Sequence, residues 1–476
     1  MAPSRARRPA ISTTGTSLLL LALLALASGC GGAWRPGAAV PGGEVAEEPS
    51  SPSSTRDAAS EDRSASDPVA VDRQPVADPG LLRERFGLEP LPASIVYPPW
   101  NPPLPERIAL GKLLFFDPIL SGERDVACAT CHHPDLAWAD GRQLPVGAGG
   151  GHYHPFALGP ERVAGVSALS GQPLGLTPRN APTVLNTAFN GYFSPRPEHL
   201  SLQFWDGRVE NGLEEQGTKP PTSRVEMAGD AYPAADAWGI LEARLAGIAE
   251  YRALFAQAFP DLPEGEPAIR AERVGQALAA FQRELVTPGA AYDRFVLGDA
   301  SALGEAELRG LELFFGPAGC GDCHLGPMLS NFEFHVQGVA HLGPGRPATP
   351  GRDLGRGEVT GRDADMFAFR TPSLRNVALT APYMHNGALL TLREVVDFYD
   401  RGGNDAGLPA EAIDARIRPL QLGEREKQDL VAFMQALTGE LPEVEVPRRV
   451  PSGLTPIFGA PADAALRSAS ATDAGG

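Results

Sequence analysis

Cysteine is scarce in this chain, with five in 476 residues, and aromatic side chains make up only 7%. Basic residues are outnumbered: 41 Lys and Arg face 58 Asp and Glu, for a net charge of −17. That balance excludes nucleic acid as a partner, since phosphate backbones are bound through cations. A basic or locally positive protein surface is the better match. After residue 30 no apolar run approaches the ~20 residues that span a bilayer. Fibrous and wholly disordered chains are excluded too, because 43% of the residues are hydrophobic. The length leaves room for two core-bearing domains. What is abundant is Gly, 54 residues, and Pro, 47, which predicts a loop-rich fold with long irregular segments.

The first segment reads as an export signal. Arg5, Arg7 and Arg8 precede the apolar run Leu18 to Ala27, which ends in Ala27-Ser28-Gly29-Cys30. Small residues before a Cys resemble a bacterial lipoprotein cleavage site, with Cys30 lipidated and Gly31 directing the product to the outer membrane. The expected protein is therefore periplasmic and touches the membrane only through that anchor. An ordinary signal peptide is the alternative. Residues 31–83 are rich in Pro, Ser, Ala, Gly and Asp and predict a disordered tether, and residues 446–476 predict a flexible tail.

The four cysteines besides Cys30 fall into two copies of one pattern, Cys128-Ala-Thr-Cys131-His132 and Cys320-Gly-Asp-Cys323-His324. Two thiols three positions apart can form thioethers with the vinyl groups of one haem, while the adjacent His reaches the iron. A zinc site or a thioredoxin-like pair does not need His after the second Cys. Two covalently bound haem c groups follow. Each motif is preceded by a repeat, Gly111-Lys-Leu-Leu-Phe-Phe-Asp-Pro118 and Gly310-Leu-Glu-Leu-Phe-Phe-Gly-Pro317, with apolar residues at helical spacing. Leu430, Val431, Met434 and Leu437 predict a helix over Glu424 to Leu437 that closes the second pocket. The expected fold is mainly α, two tandem cytochrome c-like haem domains over residues 84–295 and 296–445 with long irregular loops.

From about residue 84 to 440 the chain resembles the bacterial di-haem cytochrome c peroxidase and MauG family. Besides the haem motifs, the resemblance rests on Arg179-Asn-Ala-Pro-Thr-Val-Leu-Asn186, Phe204-Trp-Asp-Gly-Arg208, Val225-Glu-Met227, Phe369-Arg-Thr-Pro-Ser-Leu-Arg-Asn376 and Thr380-Ala-Pro-Tyr-Met-His-Asn-Gly387. It implies that the N-terminal haem reacts with hydrogen peroxide, and that the C-terminal haem transfers electrons or stores oxidising equivalents across a Trp and a calcium ion. By position, His132 and His324 become proximal ligands and Trp205 the bridge between haems. Glu226 becomes the distal acid-base, Gln216 its hydrogen-bonding partner and Pro220 the wall beside it. A carboxylate over an apolar haem face can shuttle the proton that peroxide cleavage requires. Asn180, Thr380 and Pro382 match the protein ligands of the calcium, a hard cation that takes oxygen donors. Without the resemblance, Glu226 reads equally as a solvated loop carboxylate, and Asn180 as a turn cap before Pro182.

Two positions depart from the reductively activated peroxidases of the family. Those enzymes place a His ligand in the loop after the first motif; counted from Asp140-Gly141, that place is Ala148. Alanine cannot ligate, so the first haem is expected to be open to peroxide. His152 and His154 in the same loop remain alternative ligands, and the segment from His132 to Asn180 is longer than is usual in the family. His133 is read as a surface residue or a support for the haem ligand. The far ligand of the second haem is Met in those enzymes; counted from Thr391-Leu392, it is Tyr399 here, as in MauG. A phenolate lowers the iron potential and favours higher oxidation states. Leu392, Val395, Val396 and Tyr399 also spell a helix core face, and Met328, Met366 and Met384 are rival ligands. His385 is read as packing on the haem. The electron source is a small c-type cytochrome, a cupredoxin or a protein side chain, and the family often forms homodimers. The rival reading is a pure electron-transfer di-haem lipoprotein.

Overall fold

The computed structural model describes residues 78–150, 159–192, 197–346 and 349–457. The expectations for the signal peptide, for Cys30, and for His152 and His154 lie outside the described residues.

The fold is mainly helical. In the N-terminal part lie α1 (Pro79–Phe86), α2 (Pro105–Phe116), α3 (Cys128–Cys131), α4 (Gly212–Gln216), α5 (Ala237–Ala246), α6 (Ala249–Ala258) and α7 (Ala271–Arg283). There follow α8 (Ala291–Val296), α9 (Glu305–Phe315), α10 (Gly357–Thr360), α11 (Leu392–Asp400) and α12 (Glu424–Gln435). Among the described residues, sheet is confined to two antiparallel pairs, β1 (Phe334–His335) with β4 (Phe369–Arg370) and β2 (Gly345–Arg346) with β3 (Thr349–Pro350). No helix among them is long and apolar enough to cross a membrane.

The sequence repeat corresponds to a repeated helix crossing. Helix α2 crosses α7 at Gly111, where a Cβ would stand 1.9 Å from the Ala277 carbonyl oxygen; α9 crosses α12 at Gly310, where it would stand 2.0 Å from that of Asp429. Only glycine allows either approach. Around the first crossing Phe115, Trp138 and Phe281 meet edge-on, with ring centroids 5.3 to 6.0 Å apart. Around the second, Phe314, Phe315 and Tyr292 meet Phe433 at 5.1 to 6.0 Å. Each fully buried aromatic contributes ~1.5–3 kcal/mol by leaving water. Each crossing anchors its own buried apolar cluster.

A polar hub lies between the clusters. Asn186 and Asn376, both left-handed at φ 58° and 60°, donate their amides to the Thr287 hydroxyl at 2.7 and 2.8 Å. Thr287 N donates back to Asn186 Oδ1 at 2.9 Å.

Both ends of the described part cross over. Leu82 and Leu88 pack in the second cluster, while Val444, Val446 and Leu454 pack against the first. Ser452 Oγ donates to the buried Asp117 carboxylate at 2.7 Å, which also accepts from Tyr251 Oη at 2.5 Å. Helix α1, capped by the Asp78 side chain, begins inside the expected tether. The division at 295 falls within α8, whose Tyr292, Phe295 and Val296 all belong to the second cluster. Within the expected tail Val450 is fully buried and Ile457 is 5% exposed.

Candidate active site

The second haem motif follows α9 as a single turn. The His324 amide donates to the Cys320 carbonyl at 2.9 Å, and its ring Nδ1 meets the Leu329 carbonyl at 2.9 Å. A carbonyl only accepts, so Nδ1 carries the proton and Nε2 keeps its lone pair. Burial holds the imidazole neutral, its pKa down at about 4. Cys320, Cys323, His324 and Tyr399 line one cavity of about 1710 Å³, its open mouth included. The Thr391 hydroxyl and the Glu394 carboxylate cap α11 reciprocally. This cap sets the helix so that Leu392, Val395, Val396 and Tyr399 line the cavity, as their spacing predicts. Leu430 and Met434 of α12 close it from another side. Of the rival sulfur donors, Met384 lines the cavity, whereas Met328 packs with Ala188, Phe189 and Phe332. Met366 lies against Gly357.

This donor set suits a covalently attached haem. Neither cysteine is in a disulfide. The walls are largely apolar, and a buried guanidinium, that of Arg370, leaves Nε and Nη2 without a hydrogen-bond partner at the cavity.

The first motif repeats the turn on α3: His132 N donates to Cys128 O at 3.0 Å, and the ring Nδ1 meets Trp138 O at 3.2 Å. Burial again pulls the imidazole pKa down to about 4. Glu226 sits in a wide turn, Arg224–Ala228, and its charge is felt by the buried Cys131 thiol. Ala148 is buried, and its amide donates to the Glu226 carbonyl at 3.0 Å. A Cβ on neighbouring Gly147 would meet the Glu226 carbonyl oxygen at 2.3 Å. Arg162 holds the Val146 and Gly147 carbonyls at 2.8 Å each, and Asp125 accepts from Gly149 N at 2.6 Å. The loop at Ala148 is thus fastened against the Glu226 turn. Gln216 ends α4, and Pro220 opens the 3-10 turn Pro220–Thr222 that leads into the Glu226 turn. His133 is buried rather than superficial, and its Nδ1 accepts from Asp135 N at 2.9 Å.

Trp205 lines the same cavity as the second motif. Its indole Nε1 donates to the Asn180 carbonyl at 3.0 Å, and its own carbonyl accepts from Arg370 N at 2.8 Å. Asn180, Thr380, Pro382 and Trp205 line the second cavity together. Among the described residues no group of three or more His, Cys, Asp or Glu is placed to hold a metal.

Sequence reasoning missed three features. Arg179 is buried between Asp206, at 2.6 Å, and Asp353, at 2.7 Å, so it ties the Asn180 segment to the Trp205 loop. Burial alone would raise both carboxyls, yet the arginines hold them below the ordinary carboxylate range. His335 lines the second cavity and meets Asp414 at 2.9 Å. Finally, the Trp205 loop is built twice. Bridges Gln203 to Val209 and Tyr383 to Leu389 close loops with positive φ at Phe204 and Met384 and at Gly207 and Gly387. His385 therefore stands where Trp205 stands in the first copy, stacked on Phe369 at 3.6 Å. A comparison of Phe204-Trp-Asp-Gly207 with Met384-His-Asn-Gly387 would have found it.

Two thiol, thiol, imidazole sites on one mainly helical chain define a di-haem c-type protein, and the chain belongs to the di-haem cytochrome c peroxidase and MauG family. The family model for di-haem cytochrome c peroxidase matches residues 105–301. The chain is 36% identical over 373 residues to the methylamine utilization protein MauG of Methylorubrum extorquens, covering 78% of this chain and 88% of that protein. Identity to the cytochrome-c peroxidase IdrP1 of Pseudomonas sp. strain SCT is 34% over 394 residues, covering 78% and 90%. A MauG-like protein associated with microbial copper homeostasis, known from its crystal structure, superposes with a TM-score of 0.57 at 31% identity over 74% of this chain and 95% of that one. The chain is a di-haem oxidoreductase.

Proposed function

We propose that this protein reduces hydrogen peroxide to water at an N-terminal haem and draws the two electrons through a C-terminal haem. Bound haem supplies the redox-active iron. Cys128, Cys131 and His132 hold the first group in one cytochrome c-like half; Cys320, Cys323, His324 and Tyr399 hold the second in the other. Glu226 takes a proton from the nearer peroxide oxygen and returns it to the leaving oxygen, with Gln216 as hydrogen-bonding partner and Pro220 as wall. A positioned carboxylate of this kind contributes ~10²–10⁴-fold. Trp205 carries charge between the halves. Asn180 Nδ2 is engaged by the Arg142 carbonyl at 2.7 Å, which leaves Oδ1 for a calcium shared with Thr380 and Pro382.

One observation carries this reading. Where reductively activated relatives place a histidine, a buried alanine, Ala148, is fastened to the backbone of Glu226. That arrangement supports an open first haem with an acid-base at hand. The Tyr399 position supports the MauG-like branch, in which the electrons come from a partner protein's side chains; a small c-type cytochrome or cupredoxin is the donor in the other. Export with a lipid anchor at Cys30 completes the reading. Low-temperature electron paramagnetic resonance of the ferric holoprotein tests it. One high-spin and one low-spin iron, with rapid peroxide consumption, is the expected result. Two low-spin irons would mean that a loop histidine closes the first site, and the open-haem reading would fall.

A further inference from the structure

Three arginines line the second cavity, and two of them have partners. Arg416 grips Asp414 through Nε at 2.8 Å and Nη2 at 2.6 Å, and Arg418 donates to the Pro317 carbonyl at 3.3 Å. Arg370 differs. Its Nε and Nη2 are sealed from solvent and meet no acceptor among the described residues. Its guanidinium lies 4.6 Å from the Phe332 ring centroid, an attraction that leaves the in-plane donors unused. Burial, with no carboxylate to oppose it, pulls its pKa down to about 10, so it stays cationic at neutral pH.

Arg370 also cannot turn away easily. Its residue pairs with Phe334 across the β1–β4 ladder, and its amide is held by the Trp205 carbonyl at 2.8 Å. On the same strand Phe369 stacks against His385. A guanidinium fixed and desolvated in this way is strongly unfavourable unless an anion reaches it. The described residues offer none: among them Asp414 is the only carboxylate lining the cavity, and Arg416 and His335 already occupy it.

We propose that Arg370 is the counter-ion of a carboxylate of the second haem, and that this pair sets the charge beside the haem on the side facing Trp205. Arg370 is then a positioning residue. Its planar fork matches a carboxylate in a way that an ammonium does not. A fixed cation favours the reduced iron, so it opposes the lowering of potential by a Tyr399 phenolate. Because the same residue holds the Trp205 carbonyl, it ties the second haem to the indole that carries charge between the halves. The inference rests on the proposed haem site at Cys320, Cys323 and His324; absence of haem on those cysteines in the wild-type protein would remove that site and is distinguishable from a failure of Arg370.

The test uses the holoprotein with both haems attached. In Arg370→Gln, spectroelectrochemistry should show a lower midpoint potential for the second haem and an unchanged one for the first. Resonance Raman should show a shifted propionate bending band, and Arg370→Lys should restore part of both. A full haem complement with the second potential and band unchanged in Arg370→Gln would overturn the proposal. Should that variant fail to mature, the crystal structure of the wild-type holoprotein decides. A haem carboxylate within hydrogen-bond distance of Arg370 Nε or Nη2 upholds the pair, and any other partner there overturns it.

Discussion

Glu226 and Tyr399 carry separable expectations, because they sit at different haem motifs. Glu226→Gln keeps size and hydrogen bonding but cannot accept a proton. It should slow peroxide cleavage ~10²–10⁴-fold in stopped-flow absorbance while both ferric haem spectra stay as in wild type. Unchanged kinetics would remove Glu226 from the mechanism. Tyr399→His should raise the second haem's potential, within the ~0.8 V span that axial ligands govern; an unaltered low-spin resonance signal would show that Tyr399 is not the ligand. At this scale the sequence was legible wherever chemistry requires a fixed spacing, as in the two Cys-x-x-Cys-His motifs. It was silent where a residue's role depends on a distant partner. Arg179 and Asp353 are 174 residues apart, and His335 and Asp414 are 79 apart, so no local pattern pairs them.

The repeated helix crossings make the strongest demand among the elements. Gly310→Ala gains helix propensity of ~1 kcal/mol, but the new methyl must enter the space of the Asp429 carbonyl, 2.0 Å from the Cβ position. Overpacking of that kind costs ~1–3 kcal/mol, so a net loss of stability and a lower denaturant midpoint are expected for the holoprotein. A raised midpoint would mean that α9 and α12 shift apart freely. The repeat was visible as Gly111 to Pro118 and Gly310 to Pro317, and the α11 face was visible from its period. The second copy of the Trp205 loop was not read, since what the two copies share is a backbone conformation, with positive φ at Phe204 and Met384 and at Gly207 and Gly387, more than a run of like side chains.

For the whole molecule, acid sensitivity follows from the buried ions at Arg179. Asp206 and Asp353 are held below 3.8 in the folded chain, so the unfolded chain takes up protons first as pH falls. Their stabilisation is therefore full above pH ~4 and is lost as acid titrates the folded carboxyls. Arg179→Met leaves the buried Asp353 without its arginine and Asp206 with Arg208 alone, and should cost ~3–5 kcal/mol near neutrality, with a smaller deficit in acid. Equal deficits at both pH values would place the loss elsewhere. The packing of the segment around Val450 on the first core has a consequence for biogenesis. The stretch of chain that packs on the first core, around Val450 and Ser452, is made after both haem motifs. In a chain threaded outward amino-terminus first, Cys128 and Cys131 emerge long before their pocket can shut, which gives the haem-attaching machinery an interval of access. A chain stopped at residue 443 should then still acquire haem on Cys128 and Cys131 in an exporting host, yet lose hydrogen-exchange protection across α2 and α7. Closure of that pocket would then wait on a segment that follows both haem motifs in the chain and acts as the latch.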